Sequence, residues 1–420
     1  MNQRKLGRGV AVVGAGMSKF GAFPGQATRD LFVEAFREMI ASVDKGLDAD
    51  DIEALYVGNY SSDLFEKQGH TAPIMADWVG LTPRPATRIE DACASSGVAV
   101  RQGIIAVASG LYDIVLVGGI EKMTDLPTSE VTDTLATAAD VLYEVPAGFT
   151  FPGLYAAMAT AYMHKHGAPR EVFLKVGLKN HENGALNDKA QFGQRIADIM
   201  AKKKARSVQK GYPEPQWEDE MDFLQDNRAN PFIAWPLRLY DCSPISDGAA
   251  AILLVSEDLA SRFTDAPLAI IGSGQASDGA THDRPTLTGI PAARKAARMA
   301  YEMANVEPRD IDVAEVHDCF TIAEIMATED LGFFDVGEGW KAATEGHTAL
   351  TGDRPINTSG GLKSKGHPVG ASGAGQVIEI WKQLRGEAGE RQLANSPRLG
   401  LTHNVGGTGQ TCAVHIFERR

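Results

Sequence analysis

The chain has few cysteines. Four stand in 420 residues, at positions 93, 242, 319 and 412, and none forms a Cys-x-x-Cys pair. That spacing suggests neither a zinc site nor a disulfide framework. No uncharged apolar run approaches the length needed to span a bilayer, so no membrane association is expected. Basic charge is outweighed: 41 Lys and Arg stand against 54 Asp and Glu, a net charge of −13. General nucleic-acid binding is thereby excluded, while a local basic patch for an anionic ligand is not. The segment from Met1 to Gly7 has no signal-peptide apolar region, and Ile416 to Arg420 carries no peroxisomal tripeptide. A cytoplasmic setting is the expectation. What remains is ordinary for a globular protein: 44% apolar and 23% charged residues, in a chain long enough for two or three domains.

The chain repeats itself over a long period. Val10-Ala11-Val12-Val13-Gly14-Ala15-Gly16 resembles Leu268-Ala269-Ile270-Ile271-Gly272-Ser273-Gly274. Each apolar run ending in Gly-x-Gly reads as a buried strand leading into a tight turn. The dinucleotide fingerprint fails, because Lys19 stands where its last glycine belongs. A helical pattern follows each run, over 31–40 and 292–301, and each continues into an apolar strand, at 51–57 and 310–316. Further on, Ser95-Ser96-Gly97 and Ala371-Ser372-Gly373 each open a helix, and 114–119 and 399–407 each read as a strand closed by glycines. Alternating strands and helices imply a mostly parallel sheet with helical cover in each half. Two such halves, pseudo-symmetric, bring equivalent loops to one centre.

Between the halves lies an insertion, 120–240, with little strand signal and helical stretches over 155–166 and 170–187. It carries Lys202-Lys203-Lys204-Ala205-Arg206 and Lys210, a basic run in an acidic protein. The run is either a solvated face or a contact for a phosphorylated ligand. Phe149, Phe151, Tyr155, Met158 and Met163 either fill its core or line a pocket, and core packing is the better account.

Four segments at strand ends or helix starts carry candidate chemistry. Cys93 lies in Glu90-Asp91-Ala92-Cys93-Ala94-Ser95-Ser96-Gly97, at or just before a helix N-terminus. Free N–H groups and the helix dipole favour a thiolate there, able to attack a carbonyl. A buried structural cysteine is the competing account. His317-Asp318-Cys319-Phe320 follows a strand, and His317 falls where the first half has Gly58. His367 stands in the glycine-rich loop 361–373, which matches neither the P-loop nor the dinucleotide fingerprint. Cys93 and His367 occupy corresponding helix-start segments of the two halves. A cysteine and two histidines at one centre form a nucleophile-plus-base arrangement.

The set Cys93-Ala94-Ser95-Ser96-Gly97, His317-Asp318-Cys319-Phe320, Gly366-His367-Pro368-x-Gly370 and Asn404-Val405-Gly406-Gly407 resembles the thiolase superfamily. Its His-Asp-Cys-Phe segment resembles the sterol-carrier-protein-2 type, where most other thiolases carry Asn-Glu-Ala-Phe. The resemblance implies two pseudo-symmetric mixed-sheet α/β halves in α-β-α-β-α layers, plus an inserted, mostly helical loop domain. The halves would be 1–119 with 241–265, and 266–420, with 120–240 inserted to cover coenzyme A. It implies Cys93 as the acyl-accepting nucleophile, His367 as its base, and His317 in the first oxyanion hole. The backbone N–H groups of Cys93 and Gly406 would form the second hole. Most thiolases use a second cysteine as acid/base where this chain has Asn404, so Cys319 is assigned that role. Lys202, Lys203 and Lys204 are weak candidates for the nucleotide phosphates.

The activity implied is acyl-CoA acyltransfer, acetyl-CoA acetyltransferase-like. It makes or cleaves a 3-ketoacyl-CoA by Claisen chemistry through an acyl-cysteine, with no metal or redox cofactor. A homodimer or homotetramer is expected, with a small OB-fold protein as a further partner of some relatives. Competing readings on the same fold are a decarboxylating ketoacyl synthase, a partner-dependent aldolase, and a non-catalytic CoA-binding scaffold. The Gly-His-Pro motif and the insertion argue against the first, and Cys93 argues against the second.

Overall fold

The computed structural model describes residues 5–420. In chain order the first half runs β1 (Val10–Met17), α1 (Thr28–Ala41), β2 (Ala54–Gly58), α2 (Ser62–Phe65), α3 (Thr71–Trp78), β3 (Ala86–Ile89), α4 (Ser95–Ala108) and β4 (Ile114–Glu121). The chain then leaves the sheet through α5 (Thr128–Ala136), α6 (Phe151–His166), α7 (Glu171–Ala185), α8 (Ile196–Gln209) and α9 (Glu220–Gln225). A small ribbon follows, β5 (Phe232–Ala234) and β6 (Leu237–Arg238), before β7 (Gly248–Ser256) re-enters the core. The second half comprises β8 (Leu268–Ser277), α10 (Pro291–Ala304), β9 (Val313–Glu315), α11 (Thr321–Asp330), α12 (Gly339–Glu345), α13 (Gly361–Lys365), α14 (Ser372–Arg385), β10 (Leu399–Gly406) and β11 (Thr411–Arg419).

The strand order is β3-β2-β4-β7-β1-β8-β11-β10-β9. In the first half β2 is parallel to β3 and β4, while β7 runs antiparallel to both β4 and β1. The second half repeats this: β10 is parallel to β9, and β11 runs antiparallel to β10 and β8. A parallel bridge from Ala314 to Ile356 stands where the first half has β3. Each half is therefore mixed, not mostly parallel as strand–helix alternation suggested. Its last strand breaks the alternation: β11 returns from β10 through a short hairpin, and β7 returns after the insertion. The halves meet along β1 and β8, registered at Ala11 with Ala269 and Val12 with Leu268.

β1, β4 and β7 are buried at every residue, as strands covered by helices on both faces must be. One outer layer packs Leu31, Phe32, Ala35 and Met39 of α1 against Ala11, Val13 and Leu253. On the other half, Ala292, Ala293, Ala296, Ala297 and Ala300 of α10 face β8 and β11. Between the two halves of this continuous sheet lie α4 and α14, with Val100, Ile104, Val377, Ile378 and Trp381 in one cluster.

The Gly-x-Gly pairs lie within β1 and β8, not in a turn. Their role is close approach. A Cβ on Gly16 would sit 2.2 Å from the Met39 nitrogen of α1, and one on Gly274 1.9 Å from the Ala296 oxygen of α10. The same device sets the centre of the molecule. A Cβ on Gly373 would lie 2.4 Å from the Gly97 nitrogen, so α4 and α14 touch at their first turns. The segments entering those helices carry Cys93 and His367.

Candidate active site

Cys93 leaves β3 by a tight turn and stands two residues before α4. Ala92 takes φ 49°, a left-handed conformation that costs a residue bearing a Cβ. Hydrogen bonds hold it there: Ser95 Oγ donates to the Ala92 carbonyl at 2.6 Å and accepts from the Asp91 N–H at 3.0 Å, and the Ala94 N–H reaches Asp91 O at 3.0 Å. The helix-start position is as expected, but the charge state is not. Burial, with Glu121 and Glu90 nearby, pushes the Cys93 thiol up to about 12 against the opposing Gly407 N–H. The resting group is a thiol, and a base must remove its proton.

His367 supplies a neutral imidazole. The His367 backbone N–H donates to Ser246 Oγ at 2.8 Å, and Gly366 before it takes φ 115°. Ser372 Oγ lies 2.6 Å from His367 Nδ1 and 2.8 Å from the Pro368 carbonyl. A hydroxyl has one proton, and only the hydroxyl can donate to Pro368 O. Ser372 therefore accepts from His367 Nδ1–H, which leaves Nε2 with a free lone pair. Burial holds the His367 pKa down at about 3.

His317 has the opposite tautomer. Asn404 Oδ1 accepts the Gly97 N–H at 3.2 Å, which orients the amide. Its Nδ2 donates to the Cys93 carbonyl at 3.1 Å and faces His317 Nδ1 at 3.2 Å. Nδ1 must accept, so the proton sits on Nε2. That atom is buried and has no hydrogen-bond partner among the described residues. Burial, then His367 and His403, hold His317 well below the usual histidine range, so it is a neutral donor. The Cys93 sulfur and the ligating nitrogens of His317 and His367 lie within 4.8 Å of one another. The two rings meet edge to face, centroids 5.1 Å apart at 82°.

Cys319 is 6% exposed and its carbonyl accepts the Ser243 N–H at 2.9 Å. Burial, then the neighbouring Cys93, raises its thiol well above the usual range, while Tyr155 opposes that shift. Gly406 ends β10, and the backbone N–H groups that favour charge on the Cys93 sulfur are those of the next residue, Gly407, and of Cys93 itself.

Sequence reasoning missed the acids that tie these loops together. Asp318 accepts from Leu362 N (2.6 Å), Lys363 N (3.2 Å) and Asn180 Nδ2 (2.8 Å), joining the end of β9 to α13 and to the insertion. Glu121 accepts from Tyr60 N (2.8 Å), Ser61 N (3.1 Å), Asn59 Nδ2 (3.0 Å) and Gly370 N (3.1 Å), joining the two halves. An acid closing the apolar run 114–120 was the available signal. Tyr155, set aside as core, is fully buried yet also reaches the site: its ring stacks on Phe320 and its hydroxyl bonds Gly407 O at 3.1 Å.

The basic run is turned to local structure. Lys202 bonds Gln194 Oε1, Lys203 bonds the Ala229 carbonyl and lies over the Phe223 ring, and Lys204 bonds the Trp217 carbonyl. These contacts stitch α8 onto the small cluster of Ile196, Phe223 and Leu224.

Comparison with known proteins agrees with this geometry. Residues 10–258 match the family model described as thiolase, N-terminal domain, and residues 273–419 match thiolase C-terminal domain-like. An acetyl-CoA acetyltransferase from Methanothermobacter thermautotrophicus is 46% identical over 98% of this chain and 100% of its own length. Sterol carrier protein 2 of Bos taurus is 31% identical, covering 99% of this chain and 73% of that protein. Among solved structures, human mitochondrial 3-ketoacyl-CoA thiolase in complex with CoA superposes with a TM-score of 0.69 at 20% identity, over 99% of this chain and 100% of that one. An Ltp2-ChsH2(DUF35) aldolase gives 0.79 at 24% identity, over 99% of each chain. At these identities the two structures speak to the fold alone.

Proposed function

The chain belongs to the thiolase family and is an acyl-CoA acyltransferase of it; we propose that it works through an acyl-Cys93 intermediate, with Cys319 as the acid/base of the carbon–carbon step. The observation that carries this is the convergence of the Cys93 sulfur with the His317 and His367 nitrogens within 4.8 Å.

The steps follow from the tautomers. His367 Nε2 takes the Cys93 proton as the sulfur attacks the thioester carbonyl. The proton passes to the departing coenzyme A sulfur, leaving acyl-Cys93. Cys319, once its own proton has passed to solvent, takes an α-proton from a second acyl-CoA as a thiolate, and the resulting carbanion attacks the acyl carbon. The Cys93 sulfur leaves as a thiolate and regains a proton from Cys319, and the product is a 3-ketoacyl-CoA; thiolytic cleavage is the reverse. The His317 Nε2–H, without a hydrogen-bond partner among the described residues, is left free to donate to a thioester oxygen as it gathers charge. A donor of that kind contributes about 3–4 kcal/mol to the transition state. Coenzyme A enters as substrate, and no metal or redox group is needed for these proton and acyl transfers.

We expect a homodimer or homotetramer in the cytoplasm, with a small OB-fold protein as a further partner. No helix among the described residues is long and apolar enough to cross a membrane.

The test is intact mass after incubation with acetyl-CoA, on the wild type and on Cys93→Ala. One acetyl group is expected on the wild type and none on the variant. An adduct that persists in Cys93→Ala rejects Cys93 as the acceptor.

A further inference from the structure

Tyr155 comes from α6 of the insertion, yet its side chain ends among the reacting groups. It is 0% exposed, and its ring lies 4.7 Å from that of Phe320 at 27°. Its hydroxyl donates to the Gly407 carbonyl at 3.1 Å, and its ring, stacked on Phe320, brings it beside the neighbouring Cys319, whose thiolate it would favour. A phenol has one proton to donate. While Cys319 is a thiol, the hydroxyl satisfies Gly407 O and accepts the S–H. Once Cys319 is a thiolate, the sulfur becomes the stronger, charge-assisted acceptor. The other groups facing Cys319 are Cys93 and Asp318, which both disfavour negative charge there, and the Phe320 backbone N–H, which favours it. Arg284 faces Tyr155 from the second half and is held by Thr408 O at 2.6 Å.

We propose that Tyr155 is a positioning residue for α-proton transfer: its hydroxyl donates to Gly407 O when Cys319 is a thiol and turns to the sulfur when Cys319 is a thiolate. This rests on the reading of Cys319 as the acid/base. The proton count is simple. The substrate's α C–H bond breaks, the proton forms the Cys319 S–H bond, and the electron pair stays on the enolate. Tyr155 keeps its own proton throughout and changes only its partner. Without that donor the thiolate is harder to form, so proton abstraction slows and needs a higher pH.

The experiment follows deuterium uptake at the acetyl-CoA methyl group in heavy water, alongside Cys93 acetylation by intact mass. It compares the wild type, Tyr155→Phe and Cys319→Ala. Tyr155→Phe keeps the stacked ring and loses only the hydroxyl. Expected are wild-type Cys93 acetylation, exchange slowed about 10- to 100-fold, and a rising pH limb moved up by about one unit or more. Unchanged exchange overturns the proposal. So does an equal loss of acetylation and exchange with the limb unmoved, which would mean the hydroxyl only holds the Gly407 loop. Exchange that persists in Cys319→Ala rejects the acid/base reading itself, a separate result. If Tyr155→Phe does not fold, 3-fluorotyrosine at position 155 replaces it. Its more acidic hydroxyl is a better donor, so the limb is expected at lower pH, and an unmoved limb overturns the proposal.

Discussion

At the scale of single residues, the site is organised by which nitrogen holds a proton. Ser372 gives His367 a bare Nε2, and Asn404 gives His317 a protonated one. Two identical side chains thus act in opposite senses, one as base and one as donor. Asn404 does this from the position where most of the family carries a cysteine, and the amide also holds the Cys93 carbonyl and the Gly97 N–H. Asn404→Ala releases His317 Nδ1, so the Nε2–H tautomer is no longer enforced. Loss of an oxyanion donor costs about 100- to 1000-fold. Because the ring itself remains, a fall in kcat of about 10- to 100-fold with a small change in KM is expected from steady-state kinetics. A kcat within twofold of wild type would mean that His317 keeps its tautomer without the amide.

At the scale of elements, two helices running through the middle of the molecule deliver the reacting groups. α14 is buried over nearly its whole length, and α4 over most of its own, and the Gln376, Glu379 and Gln383 stripe of α14 is bonded to His403 O, Arg391 and its own members. What sets their crossing is the glycine contact at their first turns. In Gly373→Ala the new Cβ would lie 2.3 Å from Asn404 Oδ1 and 2.4 Å from the Gly97 nitrogen. Backbone cannot move aside as a flexible side-chain end can, so the crossing must widen. Overpacking of this kind costs about 1–3 kcal/mol. A lower urea midpoint is expected for Gly373→Ala, together with lost activity. Gly375→Ala is the control, since its Cβ would meet only the Phe20 ring edge at 3.3 Å. Equal midpoints for the two variants would remove the crossing from the account.

At the scale of the whole molecule, burial sets the response to pH. His181, His367 and His403 are held at about 3 and His415 at about 4, all by burial first, and His317 also lies well below its usual range. These five stay neutral in the fold but take protons in the unfolded chain below about 6.5. Their contribution is present above that value and is lost as pH falls toward 3. Glu121, Asp318 and Asp330 are shifted the other way by burial, to about 8, 7 and 6. They keep protons in the fold that the unfolded chain releases, so their contribution is present below about 4 and is lost as pH rises through 6 to 8. Among these strongly shifted groups, the five histidines outnumber the three acids below pH 6, and above 6.5 only the acids still change. Thermal unfolding is expected to show its highest Tm between about pH 6 and 7. A Tm that climbs steadily through pH 8 would contradict this balance.

Much of this was present in the residues themselves. Period, patterning and glycine placement disclose the duplicated halves, and short polar motifs at strand ends mark Cys93, His317, Cys319 and His367, because those signals are local. Three things were decided only by tertiary structure. The Gly-x-Gly pairs read as turns until the helices packed on β1 and β8 were seen. The helix-start argument for a Cys93 thiolate fails because burial raises the thiol more than the nearby backbone N–H groups lower it. Tyr155, Asp318 and Asn404 act across long chain separations, up to 311 residues between Asn404 and Cys93. Their work depends on distance and on proton direction, and neither is a property of a residue's neighbours in the chain.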